Sequence, residues 1–211
     1  MDTPAFRSLD RLTLLTTASL GSCAFGNLLL PLLSGDDENL LVAFATLGLG
    51  SSVVVAVVGS VVGFLMWMHR AASNLRALHP EAAFEFTPGW AVGWWFVPLA
   101  NLVKPGQAMA EIARASHVGA TSGAQTAASW LGIAAPMVAM WWALWVVMSI
   151  FSRVTARIDG NTAVTIIDAG LTITTAIAAI LVIRGITEDQ NVAAARLERV
   201  RFADGIAHVV S

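Results

Sequence analysis

Four stretches of this chain are apolar for longer than an ordinary core helix needs: Leu12–Leu33, Leu40–Met68, Ser129–Phe151 and Ala163–Ile186, each of 22 residues or more. A helix crosses the roughly 30 Å hydrocarbon core of a bilayer with about 20 such residues. Inside hydrocarbon every backbone N–H and C=O must be paired within the structure, and a helix does this along its own length. The runs therefore predict an all-α, polytopic membrane bundle, a single domain over residues 1–211. Composition agrees: 12% of the residues are charged, against about 25% in soluble domains. A net charge of −2 gives no reason to expect nucleic acid as a partner.

The first run follows Arg7 and Arg11 and contains Leu20-Gly21-Ser22-Cys23, loosely a lipoprotein cleavage box. The apolar run continues through Phe25 to Leu33, beyond the roughly 7–15 residues of a signal core, so a retained helix is expected. Cys23 has no second cysteine to pair with and reads as a small buried hydrophobe. The second run meets no breaker before His79-Pro80, which predicts a cytoplasmic extension at about 70–78. A further cytoplasmic helix is expected at about 106–116. Thr187-Glu-Asp-Gln190 has the Thr-x-x-Gln pattern of a capping box. It predicts a new, amphipathic C-terminal helix over 188–202.

The block between Pro88 and Val103 decides the topology. Its 16 residues make a helix of only about 24 Å. Pro98 would kink that helix, and Lys104-Pro105 disfavours continuation. If the block dips in and returns, ten Lys and Arg residues lie on one side and two, Arg153 and Arg157, on the other. If it spans, the division is six against six. Positive charge collects on the cytoplasmic side, so 88–103 reads as a re-entrant or interfacial broken helix, with both termini cytoplasmic. Trp90, Trp94 and Trp95 suit such an element, because indole carries an apolar body and one donor.

The residues Trp67-Met-His-Arg-Ala-Ala-Ser-Asn74-Leu-Arg-Ala-Leu78, Thr87-Pro-Gly-Trp-Ala-Val-Gly-Trp-Trp-Phe-Val-Pro-Leu-Ala-Asn101, Glu111-Ile-Ala-Arg-Ala-Ser116 and Trp141-Trp-Ala-Leu-Trp145 carry a likeness. The chain resembles a family of bacterial membrane proteins, the domain of unknown function 4328 family, over roughly residues 50–190. Members usually carry a bulky residue after the second proline, where this chain has Gly106. The resemblance implies a multi-helix protein of the bacterial inner membrane and carries over no activity.

Among polar residues, Asp168 is the acid well inside a spanning run. An ion pair with Arg153 or Arg157 is the leading expectation, and a proton or cation role the alternative. Asn101 and Lys104 close the broken helix, where freed backbone groups can meet a ligand. The other reading makes Asn101 a cap and Lys104 a snorkelling cation. Arg70 and Asn74 share a helix face and are candidates for binding headgroups or the following loop. His69, His79, His117 and His208 have no ligand spacing, so neither cofactor nor metal is expected. Gly48, Ser52, Ala56, Gly59, Ser60 and Gly63 form a small-residue stripe for helix packing or for a homodimer face. Together these predict a non-enzymatic membrane module that binds a protein partner or lipid at its cytoplasmic face. A small transporter or channel through the re-entrant segment and Asp168 is the alternative. A membrane enzyme comes third, since no catalytic constellation is visible.

Overall fold

The computed structural model describes residues 5–33, 40–121, 134–155 and 162–210. The acidic turn at 34–39, the expected start of the third span at Ser129, and Arg157 lie outside the described residues. The helices are α1 (Asp10–Leu33), α2 (Leu40–Leu78), α3 (Pro88–Gly93), α4 (Lys104–Thr121), α5 (Ala134–Thr155) and α6 (Thr162–Val210). Two single 3-10 turns, Trp94–Phe96 and Ala100–Leu102, join α3 to α4. No strand occurs among the described residues. Segments of α1, α2, α5 and α6 are long and apolar enough to cross a membrane.

The bundle is two helical hairpins, α1 on α2 and α5 on α6, joined through α1 against α6 and wedged apart by α4. Packing is concentrated at one end, here the closed end. Leu9, just before α1, and Leu12 of α1 meet Trp67, Met68, Ala71 and Leu75 of α2 there, with Met109 and Ile112 of α4 and Ile183 of α6. At the other, open end, Leu41, Phe44, Leu47, Val154 and Ile166 stay exposed. Helix length explains the asymmetry. The 39 residues of α2 are about 58 Å long, well beyond a hydrocarbon core. The apolar face of its extension needs a protein cover, and α4 supplies one. Its buried residues Pro105, Ala108, Met109, Ile112, Ala113, Ser116 and Ala120 recur at helical spacing, while Gln107 and Arg114 face outward. Pro105 sits in the first turn of α4, where its missing N–H is not needed.

The C-terminal helix expected to begin at Thr187 is instead the continuation of α6, which runs unbroken for 49 residues. Thr187 Oγ1 donates to the Ile183 carbonyl one turn back, at 2.8 Å. The Gln190 side chain leaves its own helix altogether. Nothing reaches back to cap, because Thr187 is engaged by its own helix and by Trp67, and Gln190 by neighbouring helices.

The small-residue stripe of α2 divides. A Cβ added at Gly63 would lie 2.8 Å from Thr16 Oγ1 and 3.5 Å from its Cα. One at Gly59 would lie 3.1 Å from Ser19 Oγ. Ser60 is buried beside them and Ala56 half-buried. Gly48 has no such neighbour within 4 Å, and Ser52 is exposed. Only the inner half of the stripe seats α1.

Candidate functional site

The broken segment begins with a built cap. Thr87 Oγ1 accepts the Trp90 N–H at 3.2 Å, and Pro88 occupies the first helical turn. After the Trp94–Phe96 turn the chain reverses at Leu99, whose φ of 63° lies in the left-handed region. The Ala100 N–H bonds the Pro98 carbonyl at 2.8 Å, so Leu99 is the centre of a γ-turn, a strained reversal. Both ends of the excursion are pinned at the closed end. Glu111 accepts the N–H groups of Glu85 (2.6 Å) and Phe86 (3.1 Å). Lys104 Nζ lies 3.4 Å from Glu85 Oε1 and 5.4 Å above the Phe86 ring. The expected roles of Lys104 and Asn101 thus diverge. Lys104 is tied back to the strap before α3, whereas Asn101 is half-buried with its N–H on the Val97 carbonyl.

Aromatic rings hold the segment to the bundle. Trp95 packs edge-on against Phe64 (5.4 Å), Trp142 (5.6 Å) and Trp145 (5.4 Å). Its Nε1 meets Met68 Sδ at 3.4 Å. Trp142 Nε1 donates to the Leu102 carbonyl at 3.2 Å, satisfying one group of the broken backbone. Trp142 also fills the space above Gly106, where a Cβ would fall 2.8 Å from the indole.

A buried polar network lies below, joining four helices and the N-terminal segment. Asn74 Oδ1 accepts the Arg7 N–H at 3.0 Å. Its Nδ2 donates to the Arg7 carbonyl at 2.9 Å and to Gln190 Oε1 at 3.0 Å. Gln190 Nε2 donates to the Ala71 carbonyl and to Ser116 Oγ, both at 3.0 Å. Ser116 Oγ in turn donates to the Ile112 carbonyl at 2.7 Å. Alongside, Thr187 Oγ1 receives Trp67 Nε1 at 3.1 Å and lies 2.7 Å from Thr13 Oγ1. Asn74 and Gln190 are almost wholly buried. A buried polar group without a partner costs about 1–3 kcal/mol, and here the amide groups are matched. Sequence reading found Asn74 but took Gln190 for part of a helix cap, although its i, i+3 relation to Thr187 also lets both side chains face one core. Asn74 and Arg70 bind the N-terminal segment rather than the loop that follows them, for Arg70 Nη1 donates to the Ser8 carbonyl at 3.2 Å.

Asp168 lies apart, near the open end. It accepts Ser152 Oγ at 2.6 Å. Arg153 turns to the Ser149 carbonyl at 3.1 Å. Among the described residues Lys104 and Glu85 form an ion pair, and His117 Nδ1 meets Asp189 Oδ2 at 3.3 Å between α4 and α6. His117 had looked isolated in sequence. No cluster of metal-ligating groups forms among the described residues. An apolar cleft of about 360 Å³ lies between the two hairpins, lined by Phe64, Trp95, Trp141, Trp145, Met148 and Thr175 among others. Neither Asn101 nor Asp168 lines it.

These features define a class: an all-α bundle with four helices fit to span a membrane, closed at one end by an amphipathic helix and a proline-broken tryptophan block. The chain belongs to the family described as Domain of unknown function (DUF4328), which it matches over residues 35–188. No curated protein and no solved structure matches it.

Proposed function

We propose that this chain is a non-enzymatic protein of the bacterial inner membrane, with four crossings, a re-entrant 88–103 segment and both termini in the cytoplasm. Its closed end then faces the cytoplasm as a platform for a protein partner or lipid. The ten-to-two division of basic residues supports this orientation. So does the Lys104–Glu85 contact, which brings the two ends of the excursion together. The reversal exposes Phe96, Leu99, Leu102 and Val103, an apolar tip suited to hydrocarbon.

The observation that carries the platform reading is the far end of α6. Every residue from Glu198 to Ile206 is exposed, Val200, Phe202 and Ile206 among them, on a base anchored by Gln190. Two experiments test the reading. In a Cys23→Ser background, Ala83→Cys and Lys104→Cys should both react with a membrane-impermeant maleimide only from the cytoplasmic side. Periplasmic labelling of Lys104→Cys would overturn the topology. For the platform, deletion of 198–211 should leave the bundle folded and abolish recovery of a stoichiometric partner from native membranes. A truncated chain that recovers the same partner would remove the α6 projection from the binding surface.

A further inference from the structure

A cleft of about 650 Å³ opens between the N-terminal segment, α2 and α3. Leu65, Met66 and Val92 line its apolar part, and Arg7, His69 and Arg70 its polar part, with no acid among the described residues that line it. Among the described residues neither arginine takes part in an ion pair. Asp10, nearby in sequence, is engaged instead by Ser8 Oγ at 2.7 Å and Asn191 Nδ2 at 2.9 Å. The basic residues are also held in place. Arg7 is exposed, yet both of its backbone groups are clamped by the buried Asn74 amide. Arg70 spends Nη1 on the Ser8 carbonyl and keeps its other donors. The buried network therefore fixes the backbone position of an exposed guanidinium that has no ion-pair partner among the described residues.

Depth adds the second constraint. His69 and Arg70 follow the last residue of the long apolar run, Met68, and Arg7 precedes the first run. On the proposed topology they stand at headgroup level, while Leu65 and the half-exposed Met66 face hydrocarbon. Guanidinium groups bind phosphate through paired, charge-assisted hydrogen bonds, and basic pockets between helices on the cytoplasmic side receive anionic headgroups. We infer that this cleft binds the phosphate of an anionic phospholipid through Arg7 and Arg70, with an acyl chain lying along Leu65 and Met66. The inference rests on the proposed orientation and names the ligand class of the closed end.

The test uses the full chain in nanodiscs of phosphatidylcholine and phosphatidylglycerol, with retained lipid counted by native mass spectrometry. The wild-type protein should retain phosphatidylglycerol preferentially. The R7Q/R70Q variant should lose that preference by on the order of tenfold, and R199Q/R201Q, with the same loss of charge on the exposed end of α6, should keep it. R7K/R70K keeps the charge without the planar fork and should retain an intermediate preference, which separates lost recognition from lost folding. Equal retention by wild type and R7Q/R70Q overturns the inference, as does an equal loss in R199Q/R201Q. Inorganic phosphate should raise the melting temperature less than dihexanoyl phosphatidylglycerol does. Equal protection by the two would overturn the lipid assignment in favour of a free anion. Failure here with the labelling and truncation results intact removes the lipid alone. A periplasmic Lys104→Cys would instead remove the orientation beneath it.

Discussion

Asn74 ties the closed end together, because three of its hydrogen bonds reach two separate parts of the chain. Asn74→Ala would leave the buried Gln190 Oε1 and the part-buried Arg7 backbone groups short of partners. At about 1–3 kcal/mol for each group left unpaired, the variant should melt well below wild type in detergent. Combining it with Gln190→Leu should cost clearly less than the sum of the two single changes, since they share one bond. A double-mutant cycle of thermal melts checks this. Gly106 is the converse case, a position defined by what fills the space beside it. Gly106→Phe should destabilise by about 1–3 kcal/mol, the usual cost of overpacking, because Trp142 occupies that volume. Adding Trp142→Ala should recover part of the loss. The departure from the family pattern at Gly106 was visible in sequence, but its reason was not, since Trp142 is 36 positions away.

At the scale of the element, α2 shows how one periodic pattern serves two environments. Small residues every fourth position let backbones approach, yet of the stripe's glycines only Gly59 and Gly63 have α1 against them. Gly63→Ala should weaken the α1–α2 hairpin measurably, because the added methyl meets both the side chain and the Cα of Thr16. Gly48→Ala should be neutral or slightly stabilising through helix propensity. Comparing the melting temperatures of the two variants tests the division. The stripe was legible because it is a local repeat; which half of it meets a helix was not. Thr187-x-x-Gln190 makes the same point. That spacing caps a helix start or aims two polar groups into a core, and the choice belongs to α1, α2 and α4, which supply the partners.

For the whole molecule, stability should depend on where α6 is cut. Deletion from 198 onward removes Glu198 to Ile206, all exposed, and should shift the melting temperature by only a few degrees. Deletion from 187 onward also removes Thr187, Gln190 and the His117 partner Asp189. It should abolish the folded closed end, seen as loss of a cooperative melt and rapid proteolysis of α4. Paired truncations followed by limited proteolysis check both outcomes.

The sequence by itself determined the helical class, the four long apolar helices, the proline-broken block and the small-residue stripe of α2. These rest on hydrophobic run length, backbone pairing and local steric rules, all readable from neighbours in the chain. Only the tertiary structure decided that α6 runs on without a break, that Gln190 completes the polar network, that Trp142 covers Gly106, and that Asp168 turns to Ser152. Each depends on atoms brought together from distant positions, where the hydrogen-bond partner or filled volume, not the local pattern, sets the lowest free energy.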